Sequence, residues 1–227
     1  CDALTSITLP ESLTSIGDDA FSYCYALTSI TLPDGLTSIG NGTFWDCSSL
    51  TSITLPESLT SIGEAAFLHC YSLTSITLPE SLTSIGDDAF YGCNNLLVVI
   101  NKSDLTITAG SRDNGYVAYY ATIVTDSESK IKTVGDYIFY ADGDTVELIA
   151  YTGNETSITL PSDYEGKNYS IGKKAFYNCD SLTSVTIPEG VTSIGDYAFR
   201  NCDALTSITL PEGVTSIGDY AFFSCYN

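Results

Sequence analysis

One phrase of 23 residues recurs along this chain and constrains its fold more than any other feature. It runs first from Cys1 to Tyr23 and restarts at Cys24, Cys47, Cys70 and Cys93. After an interruption it restarts at Cys179, Cys202 and Cys225. Leu4–Phe21 and Leu73–Phe90 are identical letter for letter. Self-similarity at a fixed period of this length marks a solenoid, in which a single unit cannot bury its apolar face and stacked neighbours bury it together. The pattern predicts a repeat solenoid with 23-residue coils.

The phrase reads C-x-x-L-T-S-I-T-L-P-x-x-L-T-S-I-G-x-x-A-F. Ser6-Ile7-Thr8-Leu9 alternates polar and apolar, the mark of a half-buried strand. Pro10 lacks a backbone donor and ends it, and Ser15-Ile16 is a second, shorter extended piece. Gly17 supplies a turn, and Asp18 is positioned to cap one helical turn over Asp19-Ala20-Phe21. Leu4, Ile7, Leu9, Leu13, Ile16, Ala20, Phe21 and the cysteine then face inward. Equivalent strands pair in parallel about 4.8 Å apart.

The 227 residues read as a single solenoid, 1–227, in three stretches. Residues 1–115 form N-terminal coils, 116–151 an irregular island and 152–227 C-terminal coils. In the island, Tyr116–Ala121 suits a short amphipathic helix. Tyr137–Tyr140, Ala141-Asp142-Gly143-Asp144 and Val146–Tyr151 read as a β-hairpin, because Asp-Gly between apolar runs is a strong hairpin signal. The island is expected to protrude from the stack or bridge it. The chain opens and closes in mid-pattern, which suggests a piece of a longer protein.

The formal net charge is −20, and residues 1–101 hold eleven acids with no Lys or Arg. That field disfavours nucleic acid and anionic membranes as partners. No apolar run approaches the ~20 residues of a spanning helix, so no direct membrane insertion is expected. The eight cysteines, five in the first block and three in the second, would leave an odd thiol in each ladder. Free, buried thiols are therefore expected, and spacing by 23 is not a zinc pattern.

Catalysis is not expected. His69 is the only histidine, and no phosphate-binding glycine loop occurs. Acid pairs such as Asp18-Asp19 and Asp87-Asp88 suit capping better than calcium, which wants six to eight oxygens. No cofactor and no metal are expected.

The polar strand face is the candidate binding surface: Ser6, Thr8, Ser29, Thr31, Ser52, Thr54, Ser75 and Thr77, continued by Ser184, Thr186, Ser207 and Thr209. Small hydroxyl residues are weak anchors, whereas interface hot spots favour Trp, Tyr and Arg. Tyr137, Tyr140 and Tyr151 in the island are added for that reason. Trp45, Tyr23, Tyr25, Tyr71 and Tyr91 lie near the corner after the Ile-Gly step.

The phrase L-T-S-I-T-L-P-E-G-V-T-S-I-G-D-Y-A-F-x-x-C resembles the BspA-type leucine-rich repeat of a bacterial surface antigen and of treponemal leucine-rich repeat proteins. The match covers roughly two thirds of the chain. It implies a leucine-rich-repeat right-handed superhelix of short parallel strands and short helical turns. It also implies a secreted or cell-surface protein of bacterial type. Some family members bind host matrix proteins such as fibronectin or fibrinogen, or mediate adhesion between cells. The expectation from the resemblance is an adhesion module with a protein or glycan ligand, and the competing one is a passive stalk.

Overall fold

The structure, a computed structural model, describes residues 1 and 3–226. It divides into two compact units, Cys1–Glu128 and Ser129–Asn227.

In the first unit each regular coil contributes two very short strands, because Pro on one side and Gly on the other stop the ladder. Ser15–Ile16, Ser38–Ile39, Ser61–Ile62 and Ser84–Ile85 form a four-stranded parallel sheet with Ser on Ser and Ile on Ile. The other row begins with a bridge from Thr8 to Thr31 and the pair Ser29–Thr31 with Ser52–Thr54. It continues in Ser75–Leu78, Val98–Asn101 and Ile123–Thr125. Between the two rows the chain turns at proline, with Leu36, Leu59 and Leu82 donating N–H to the carbonyls of Pro33, Pro56 and Pro79. Threonine side chains add a spine: Thr51 Oγ1 donates to Thr28 O, and Thr60 and Thr83 donate to Thr37 and Thr60 O at 3.0 Å.

The expected helical turn is absent from the coil. In its place is a third ladder between coils. Asp19, Phe21 and Tyr23 donate N–H to Asn41, Thr43 and Trp45 O at 2.7–2.8 Å, and Gly42, Phe44 and Asp46 repeat this with Glu64, Ala66 and Leu68. The reason lies in the backbone. Asp19 and Tyr23 have φ of 56° and 59°, and the equivalent Ala65 and His69 have 54° and 62°. A left-handed residue every fourth position turns alternate N–H groups along the stack instead of back into a helix. Each non-glycine residue of this kind costs about 1–2 kcal/mol. Three inter-coil bonds, each worth about 0.5–1.5 kcal/mol net, together with the packing they align, offset that cost.

Inside, Phe21, Phe44, Phe67 and Phe90 stack with ring centroids 5.0–5.5 Å apart. All eight cysteines are free, and Cys24, Cys47, Cys70, Cys93 and Cys202 are buried. Cys47, Cys70 and Cys93 donate their S–H to the carbonyls of Phe21, Phe44 and Phe67 at 3.1–3.2 Å. Each thiol thus points at backbone, not at its neighbouring sulfur. Burial pushes the Cys47 and Cys93 thiols up to about 12.

Tyr116–Ala121 is a run of turns rather than a helix. It closes the fifth coil: Phe90 donates to Gly115 O, and Val117, Ala118 and Ala121 are buried. Val98 pairs with Ile123, so this coil completes in 25 residues.

The second unit carries the expected hairpin, Tyr137–Asp142 with Thr145–Tyr151, joined through Gly143-Asp144. A further strand, Ile131–Val134, pairs antiparallel with its first strand. The hairpin does not project. Its second strand pairs in parallel with Tyr169–Ile171, which begins the solenoid row continued by Val191–Ile194 and Ser216–Ile217. Phe139, fully buried, packs on Tyr164 and Tyr169 at 5.0 and 5.3 Å. The other row is Ser157–Thr159, Ser184–Thr186 and Ser207–Thr209, in register. Phe176, Phe199 and Phe222 stack as in the first unit. Cys202 and Cys225 donate to Phe176 and Phe199 O.

Candidate functional site

The hydroxyl face lies where the alternation puts it. Ser6, Thr8, Ser29, Thr31, Ser52, Thr54 and Ser75 are exposed, and Thr77 is half-buried, donating to Glu128 Oε1 at 3.2 Å. In the second unit Thr186, Ser207 and Thr209 are exposed and Ser184 is half-buried. Sequence reasoning missed two members, Ser157 and Thr159, although Ser157-Ile158-Thr159 restores the motif; Ser157 and Ser184 share a hydrogen bond of 2.6 Å. The face also ends sooner than expected in the first unit. The positions after Ser75 and Thr77 hold Val98 and Ile100, which are buried. What remains is a narrow strip of small hydroxyls.

Tyr137, Tyr140 and Tyr151 do not form an open site. All three are half-buried. Tyr151 stacks on Phe176 at 5.5 Å, where a regular coil has phenylalanine, and Tyr137 packs on Tyr151 at 5.4 Å. Tyr137 OH donates to Thr159 O, Tyr151 OH accepts from Glu155 N–H, and Tyr140 OH donates to Asp142. Burial raises the hydroxyls of Tyr137 and Tyr151 above the usual phenol range. These rings fasten the hairpin to the coils.

In the first unit the exposed aromatics gather instead at the corner built by its left-handed turns, while in the second Tyr220, Phe223 and Tyr226 are exposed near the last coil. Tyr23, Tyr25, Tyr71 and Tyr91 are 40–44 % exposed, although rings of this size usually find cover. Two clusters form. Tyr23 contacts Tyr25 and Trp45 at 6.0 and 5.3 Å. In the larger cluster His69 stacks on Tyr71 at 5.3 Å and meets Tyr91, which meets Tyr116 edge-on at 5.3 Å. Tyr116 contacts Tyr119, and Tyr119 contacts Tyr120. The Arg112 guanidinium lies 5.6 Å over the Tyr119 ring. Tyr116, Tyr119 and Tyr120 were hidden from sequence reasoning by the helical reading of that stretch. The signal available was the density of tyrosine there.

Beside this cluster a depression of about 490 Å³ opens between the fourth and fifth coils, lined by Asp87, Asp88, Arg112, Asp113, Asn114 and Tyr116. Gly115 seats the fifth-coil loop against the fourth coil; a Cβ there would meet the Gly86 carbonyl and the Ala89 methyl. Ser111 donates to Asp113 Oδ2 at 2.7 Å, and Asn114 Nδ2 donates to Thr106 O, so the polar wall is held in place. Three carboxylates and one guanidinium line it.

The profile of the BspA type Leucine rich repeat region matches residues 1–111 and 147–227, in six copies. Among solved structures, a leucine rich cell surface protein from Faecalibacterium prausnitzii is 25% identical over 98% of this chain and 73% of its own, with a TM-score of 0.46. A leucine-rich repeat protein of T. pallidum is 26% identical over 98% of this chain and 77% of its own, at 0.40. The pneumococcal vaccine antigen PcpA is 25% identical over 94% of this chain and 46% of its own, at 0.46. No curated protein matches the chain. With the repeat profile covering most of its length, the chain belongs to the BspA type leucine-rich repeat family.

Proposed function

We propose that the chain is an extracellular recognition module of a bacterial surface protein and binds a protein or glycan, host matrix proteins included, through the aromatic corner of the first unit. The observation that carries this reading is the larger ring cluster, His69 to Tyr120, in which Tyr71 and Tyr91 are exposed and His69, Tyr116, Tyr119 and Tyr120 are half-buried. Rigid aromatic side chains supply contact area at low entropic cost and dominate interface energetics. The acidity of the chain disfavours nucleic acid and anionic membranes as alternative partners. The similar protein from F. prausnitzii is named as a cell surface protein, which is in keeping with this reading.

The test is binding of the purified chain to immobilised matrix proteins, mucin and glycans, beside folded Tyr71→Ala/Tyr91→Ala and Thr31→Arg/Thr54→Arg variants. Saturable binding lost in the tyrosine variant supports the aromatic corner; loss only in the arginine variant moves the site to the hydroxyl strip. A second reading, a passive stalk, is favoured by the identity of Leu4–Phe21 and Leu73–Phe90, since a specific site usually breaks repeat symmetry. It predicts no signal on any surface.

A further inference from the structure

We infer that the depression between the fourth and fifth coils is a subsite for a neutral, hydroxyl-rich sugar residue, with Tyr116 as its aromatic wall. The inference rests on the recognition reading above and names its ligand class. The depression, about 490 Å³, is open to solvent and has room for one sugar ring. Its wall combines the planar, two-pronged polar groups of Asp87, Asp88, Arg112, Asp113 and Asn114, which can each hold a pair of neighbouring hydroxyls, with one aromatic ring, Tyr116. A pyranose presents both surfaces at once: hydroxyls around its rim and a patch of C–H groups on one face that packs on a ring. Apart from Ile85, Gly115 and Tyr116 every lining residue is charged or polar, which suits a ligand that offers many hydroxyls.

Charge narrows the class further. Asp87, Asp88 and Asp113 against Arg112 leave the wall two charges negative, and Arg112 already lies over Tyr119. Sialylated and sulfated sugars are therefore repelled, and a neutral sugar is not. The site exists because the fifth coil departs from the repeat. Its 25-residue course carries the loop through Arg112–Gly115, and the tight seat of Gly115 on Gly86 and Ala89 fixes where that loop stands. No regular coil has these residues, so one subsite is expected per chain.

The experiment is saturation-transfer NMR and calorimetric titration of the whole chain. The probes are neutral oligosaccharides of galactose, glucose, mannose and N-acetylglucosamine, with 3′-sialyllactose and a sulfated disaccharide as anionic counterparts. At least one neutral probe should bind, the anionic probes at least tenfold more weakly. Asp113→Asn and Tyr116→Ala should each weaken binding tenfold or more, and Tyr23→Ala should leave it within twofold. Tyr116→Phe, which keeps the ring, should retain binding and covers the case in which the alanine variant misfolds. Tighter binding of the anionic probes overturns the inference, as does neutral binding unmoved by Asp113→Asn. Binding to a matrix protein with none to any sugar overturns it while leaving the recognition reading intact; no binding to protein or sugar removes both.

Discussion

The two units place the same backbone device at their corners and decorate it differently, with acids in the first and with a mixture of Lys, Arg and Asp in the second. In the second unit Lys174, Asn178, Tyr197 and Asn201 have φ of 58–62°, and Lys174, Phe176 and Asn178 donate to Asp196, Ala198 and Arg200 O, as Ala65, Phe67 and His69 donate to the fourth coil. In the first unit that corner carries tyrosines beside Asp87, Asp88 and Asp113. In the second, Arg200 lies over Tyr197 and Phe223 at 5.4 and 5.2 Å, and Lys174 lies over Tyr177. Burial, and after it the neighbouring Lys173 and Arg200, hold the Lys174 ammonium below its ordinary range. The ladder is made largely by backbone, supplemented where Asp18, Asn41 and Asp196 each accept an N–H from the next coil, so its outward side chains can differ between coils. Corner residues are thus where one coil becomes chemically distinct from the next, while the strand residues remain alike.

The strongest way to break the comparison is to cut the stack in each unit. Phe67→Ala and Phe139→Ala should each cost about 3–5 kcal/mol, read by urea denaturation. An equal loss at Phe139 marks the hairpin as core; a loss below about 1 kcal/mol would make it an appendage. Thiol chemistry should come next. With the Cys47 and Cys93 thiols at about 12, alkylation at pH 8 should run about a thousandfold slower than at an ordinary exposed thiol, while Cys1 and the half-buried Cys225 label earlier. Peptide mapping of a time course decides it.

A smaller effect sharpens the contrast at the junction of hairpin and coil. Glu147, on the second hairpin strand, is desolvated, which raises its carboxyl despite the hydrogen bond from Lys173 N–H. Protonation therefore favours the folded state: the contribution is fully present below the unfolded value and is lost as pH rises through the folded one. Glu147→Gln should be more stable than the parent at pH 7, with the difference shrinking towards about pH 4, as thermal melts across pH would show. The smallest expected effect is at Ala65, where φ is 54°. Ala65→Gly should gain about 0.5 kcal/mol, the left-handed cost removed exceeding the added chain entropy. Tyr197→Gly, at the same kind of position, should show no gain because the ring stacked on Tyr220 goes with it.

The strand pairs, the inward Leu, Ile and Phe and the free thiols were legible in the sequence because period two and period 23 together assign every side chain a face. The corner was not. Asp18-Asp19-Ala20-Phe21 has the composition of a capped helical turn, and only contact with the next coil selects the alternating backbone over it. The same misreading concealed Tyr116–Tyr120, half of the larger aromatic cluster. The island's tyrosines were visible as residues but not as neighbours: Tyr151 stands in the phenylalanine stack because the hairpin strand enters the sheet, a long-range pairing that no local pattern encodes.

The threonine spine and the carbonyl-directed thiols share one property: each donor needs only the main chain of the preceding coil, never a particular side chain. A whole coil can therefore be gained or lost by recombination between near-identical gene segments, and the new junction finds every partner already present. Lineages that carry such a chain can change its reach and shuffle its corners in single genetic steps, without first evolving a new interface.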